Sequence, residues 1–91
     1  MVNVHDRVTR VASAEALFAS ALPTGRPVTS AELDAVVAEA LGSRGGLDRC
    51  AAEMAAAYGE SPDAAARRMR WALQLVAQAY GRDDRSSEEA S

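Results

Sequence analysis

Residues 53–73, EMAAAYGESPDAAARRMRWAL, join two helical patterns across a glycine. Met54 and Tyr58 stand one turn apart on the first pattern. Gly59 can take the positive φ that ends a helix. Ser61 followed by Pro62 offers an N-cap with proline at the first helical position. Ala55, Gly59 and Ala65 are small, which lets two helices cross closely at a steep angle. The spacing therefore predicts a helix-turn-helix, with its third helix over 47–58 and its fourth over 62–80.

This stretch resembles the helix-turn-helix of bacterial sigma-factor region four and of LuxR-type regulators. Glu53-Met54-Ala55 matches their acidic-aliphatic-alanine run, Gly59 and Ser61 their turn, and Arg68-Met69-Arg70 with Ala72-Leu73 the body of their second helix. The resemblance implies a regulator acting in transcription, as a DNA reader or as a binder of another protein. It is confined to Glu53 to Leu73. Within that span Glu60 replaces the usual aliphatic turn residue, and Pro62-Asp63 stands where the second helix would first approach DNA.

Working outward, the 91 residues support one small domain. Its hydrophobic content, 48%, is carried largely by alanine, with one Trp, one Phe and two Tyr. Alanine favours helix, and no run alternates in the strand period with β-branched residues, so the fold class is all-α, a four-helix small domain. All ten basic residues are arginines. With the many alanines this is the composition of a GC-rich genome, and the whole chain resembles short actinobacterial proteins, a likeness that carries no activity with it.

Upstream of the opening stretch, residues 1–7 are expected to fray. A first helix over 8–22 would turn Val11, Ala14, Phe18, Ala21 and Leu22 inward and Glu15 away. The segment Pro23-Thr24-Gly25-Arg26-Pro27 forces a loop, because two of its residues lack an amide donor. A second helix over 30–41 has the clearest start in the chain: Thr29 and Glu32 form a capping box, and Val28 with Leu33 its hydrophobic staple. Leu33, Val36, Val37, Ala40 and Leu41 form its buried stripe, and Gly42 its stop. The glycine-rich segment 42–46 precedes a helix but follows no strand and lacks dinucleotide or P-loop spacing, so it reads as a connector.

In the third helix Leu47, Cys50, Met54 and Tyr58 face inward, which buries the single thiol. In the fourth, Met69, Ala72, Leu73, Val76 and Tyr80 point one way, while Trp71 and Leu75 point about half a revolution elsewhere. Either the first helix covers that second ridge with Phe18 and Leu22, or another chain does, since tryptophan is favoured in interface centres. Gly81 should end the helix, leaving 82–91 as a disordered acidic tail.

The residues also exclude chemistry. The lone His5 has no Cys, His or paired carboxylate near it in sequence, and no nucleophile has a neighbouring histidine, so neither an enzyme, a metal site nor a cofactor is expected. No small-molecule substrate follows from them either. The single Cys50 cannot form an internal disulfide and no stretch reaches membrane-span length, which fits a reducing, cytoplasmic setting without a membrane partner.

Two functions remain. The first is binding of a protein partner, or self-association, through Trp71 and Leu75 of the fourth helix. The second is DNA binding, with Arg67, Arg68 and Arg70 contacting phosphate or guanine. Net charge −3 and a pI near 5.0 favour the protein partner.

Overall fold

The computed structural model describes the backbone of residues 4–90 and the side chains of residues 9–80. It is all-α: among the described residues the elements are α1 (Val4–Ala19), α2 (Ser30–Gly42), α3 (Gly46–Glu60) and α4 (Pro62–Ala90).

The strongest local start signal forms as the sequence requires. Thr29 is the N-cap of α2: its Oγ1 accepts from the Glu32 amide at 3.1 Å, and the Glu32 carboxylate accepts from the Thr29 amide at 3.2 Å. Arg26 adds an ion pair to the same carboxylate at 2.9 Å. Val28 and Leu33, the two halves of the staple, both join the core. α2 stops at Gly42, where Ser43 Oγ donates back to the Ala40 carbonyl at 2.9 Å. The connector to α3 then needs two glycines with positive φ, Gly45 at 90° and Gly46 at 50°.

The α3–α4 joint forms, but not at Gly59. α3 continues through Gly59 to Glu60, and Ser61 is the one residue between the helices, with φ −149° and ψ 88°. Its amide donates to the Ala57 carbonyl at 2.9 Å and its carbonyl accepts from the Ala65 amide at 2.9 Å, so it closes one helix and opens the next. Pro62 supplies the break: it has no amide to continue the ladder and disfavours helical geometry in the residue before it. A left-handed glycine is therefore unnecessary, and Gly59 has no positive φ.

The centre of the molecule is α1, which packs against α2, α3 and α4. Ser13, Ala14, Ala16, Leu17 and Phe18 are all buried there, whereas Val11 and Ala21, expected inside, are exposed. A single amphipathic stripe cannot describe a helix with neighbours on three sides, which is why Leu17 escaped the one-face reading. Two apolar clusters result. One joins Ala14, Leu17, Leu33, Trp71, Ala72 and Val76; the other joins Ala16, Ala40 and Cys50. Small residues at Ala14, Ala16, Ala40 and Ala72 let the helices approach closely.

Both ends of the helical chain extend beyond the sequence reading. α1 begins at Val4 rather than near Val8, and it ends at Ala19 rather than Leu22. Gly81, expected to stop α4, lies within it, and the backbone of residues 82–90, expected to be disordered, is helical. No proline follows Gly81 to bar helical hydrogen bonding, so a single glycine there weakens the helix without ending it. Residues 1–3 and Ser91, which fall in the expected frayed terminus and tail, lie outside the described residues, as do the His5 and tail side chains.

Candidate functional site

All the residues singled out for binding lie on α4 between Arg67 and Leu75, and the structure divides them into an inward and an outward group. Ala65, Ala72 and Val76 mark the buried side of the helix. Trp71 is on the inward flank, only 8% exposed. Its indole Nε1 donates to the Arg26 carbonyl at 2.9 Å, so the ring is covered by α1 and by the loop that follows it. Leu75 is half-buried and packs against the same cluster. The ridge read as a surface for another chain is thus occupied by the chain's own first helix and loop. The physical reason is the one weighed from the sequence, that the first helix needs an apolar surface; of the two residues expected to use it, Leu22 joins the cluster that holds Trp71 while Phe18 does not, and Leu17 takes its place.

Arg68 is also committed internally. α1 ends with carbonyls that have no partner within the helix. Arg68 fills that gap. Its Nε donates to the Phe18 carbonyl at 2.7 Å; Nη1 donates to the Leu22 carbonyl at 2.8 Å and to Thr24 Oγ1 at 3.0 Å; Nη2 donates to the carbonyls of Ser20 at 2.8 Å and Leu17 at 3.4 Å. Each of the five N–H groups of a guanidinium therefore has an acceptor. The planar group also lies 4.9 Å from the Trp71 ring centre and 5.7 Å from that of Phe18, a cation–π arrangement on both. Burial pushes its pKa below the usual arginine value, though arginine remains charged at neutral pH. Phe18 in turn stacks on Tyr58 of α3, with ring centres 6.1 Å apart. Arg68 thus caps α1 from another helix. Nothing in residue spacing marks this role; the helix end it serves is some fifty positions away in the chain.

Arg67 and Arg70 behave differently. Both are exposed and neither has a hydrogen bond or ion pair among the described residues. They are three positions apart, so they share the outward side of α4. Gln74 and Ala77 continue that side, and Leu73, expected in the core, sits at its edge with 47% of its surface exposed. The α1–α2 loop covers Trp71 on the opposite edge of the buried side, so the buried side of α4 is centred away from Leu73. Asp63 lies on the outward side and Glu60 is exposed just ahead of the helix.

Cys50 is fully buried among Ala16 and Ala40 and is an inert packing residue. Among the described residues no group of three His, Cys, Asp or Glu side chains could hold a metal ion, and no helix is long and apolar enough to cross a membrane. Comparison with protein-family models, curated proteins and solved structures returns no match.

Proposed function

We propose that this is a small non-enzymatic regulatory protein that binds a protein partner through the outward side of α4, centred on Arg67, Arg70 and Leu73. The observation that carries the reading is Leu73. It is a large aliphatic side chain held half in solvent on a helix whose neighbouring positions Trp71 and Ala72 are buried, and Arg70 one turn before it and Arg67 one turn before that have no ion-pair partner among the described residues. Such an arrangement complements a surface that is apolar at its centre and acidic at its rim. The likeness of residues 53–73 to regulator helix-turn-helix segments supports a component of the transcription machinery as the class of partner. The non-enzymatic part rests on the residue set, which holds one histidine and one fully buried cysteine.

The test compares proteins that co-purify with the wild-type chain and with Leu73→Asp, after circular dichroism shows equal helicity. Selective loss of a co-purifying protein from the Leu73→Asp sample is expected. Equal recovery by both would end the proposal for this surface.

DNA binding by α4 is the second reading, and one observation favours it. Arg67, Arg70 and Gln74 are all exposed on one side of the helix, and arginine and glutamine are the side chains that pair with guanine and adenine edges. Asp63 and Glu60 oppose it, because carboxylates at the start of a reading helix repel the phosphates it must approach. Binding to a non-specific duplex that weakens steeply with salt, and less steeply in the Arg67→Ala, Arg70→Ala double variant, would establish this reading instead.

A further inference from the structure

α4 is 29 residues long, and its helical backbone continues through Gly81 to Ala90. One stripe along it runs through Ala66, Arg70, Leu73, Ala77, Gly81, Asp84 and Glu88. At the helical repeat these positions fall within a band about 80° wide. Arg70, Leu73 and Ala77 are exposed, and Ala66 is partly exposed at the end nearest the α3–α4 joint.

The steps along this stripe are 4, 3, 4, 4, 3 and 4 residues, a sequence that reads the same in both directions from Ala77. An antiparallel second copy of the helix, related by a twofold axis at Ala77, therefore meets every position of the stripe with another. Leu73 comes opposite Gly81, so a large exposed aliphatic side chain meets a position that has none. Ala77 meets itself, and small residues at both places let the two axes approach closely. Arg70 comes opposite position 84, an aspartate, and the twofold axis repeats that match. Ala66 comes opposite position 88, a glutamate, with Arg67 beside it. Arg85 lies on the edge of the stripe level with Arg67 and opposes the pairing, but glutamates follow it at three and four positions and offset its charge. A parallel copy would set Arg70 against Arg70 and position 84 against itself, and would leave a gap where two Gly81 residues meet.

From this we infer that the outward side of α4 is covered by a second copy of this chain, paired antiparallel about Ala77. The inference rests on the reading of that side as a protein-binding surface and names its occupant. Charge is complementary between positions 70 and 84, and shape between positions 73 and 81. Pairing covers Leu73, so any other protein using the same side must displace the second copy.

Sedimentation equilibrium of the full chain tests this. The mass should rise from 9.5 kDa toward twice that value between about 10 μM and about 1 mM, as suits a small interface along one helix. Arg70→Asp and Asp84→Arg should each raise the dissociation constant by about tenfold or more, and the variant carrying both should regain the wild-type curve. Gly81→Leu favours the helix and should nonetheless abolish pairing. A wild type that stays monomeric at the highest concentration, a dimer indifferent to Arg70→Asp or to Gly81→Leu, or a charge-swapped double variant that stays monomeric would each overturn the inference. A monomeric wild type overturns self-pairing alone: the reading of this side as a binding surface falls separately, if wild type and Leu73→Asp recover the same proteins.

Discussion

Arg68 Nε donates to the Phe18 carbonyl at 2.7 Å while its guanidinium lies 5.7 Å from the centre of the Phe18 ring, so one side chain both ends α1 and packs on it. Removing it takes the guanidinium from the Phe18 carbonyl at the end of the central helix and from the Ser20 and Leu22 carbonyls of the segment that follows. Arg68→Ala should destabilise the fold by about 2–4 kcal/mol, the range for losing charge-assisted hydrogen bonds and the packing beside them. Arg68→Lys should recover little of this, since an ammonium cannot reproduce the planar five-donor fork. Urea denaturation of both variants measures the difference; a Lys variant as stable as wild type would contradict the capping role.

Trp71 holds the α1–α2 loop through its Nε1 bond to Arg26. Trp71→Phe keeps most of the apolar contact and should cost about 1–2 kcal/mol, whereas Trp71→Ala should cost about 3–5 kcal/mol. As the only tryptophan, its fluorescence should be blue-shifted in the folded chain and move to the red across the same unfolding transition.

The carboxyl of Glu32 is held below the usual carboxylate pKa, first by the Thr29 backbone amide and the Thr29 hydroxyl, and then by Arg26. Its unfolded pKa is the higher of the two. Its contribution is therefore fully present above that value and is lost as pH falls through the folded pKa. Glu32→Gln keeps a capping box but removes this titration, so its stability should fall less steeply than that of wild type on acidification below the ordinary carboxylate range. Thr29→Ala should cost about 1 kcal/mol near neutral pH.

Gly59 and Gly45 should respond to alanine with opposite signs. Gly59 lies within α3 with no positive φ and open space where a β-carbon would project, so Gly59→Ala should stabilise by about 0.5–1 kcal/mol. At Gly45, φ is +90° and a methyl would stand 3.2 Å from Arg49 Cβ, so Gly45→Ala should destabilise by about 1 kcal/mol or more. Thermal unfolding of both checks this; a destabilised Gly59→Ala would restore a special role for that glycine at the joint.

Substitutions on the outward side of α4 should separate binding from folding. Arg67→Ala, Arg70→Ala and Leu73→Ser should each change stability by no more than about 0.5 kcal/mol, as expected for surface positions. If Leu73→Ser proves strongly destabilising in urea, Leu73 has a packing role and the proposed partner surface is lost.

The sequence by itself determined the all-α class, the Thr29–Glu32 start of α2 and the break at Ser61-Pro62. These depend on residues within a few positions of one another, where alanine propensity, side-chain capping and a missing proline amide act locally. Only the tertiary structure decided that α1 is the central helix, that Trp71 is internal, and that Arg68 caps a helix end rather than facing solvent. It also decided that Leu73 is left at the surface. Those outcomes depend on which neighbours cover each flank of a helix, and periodicity records how side chains are spaced around an axis, not what lies beside it.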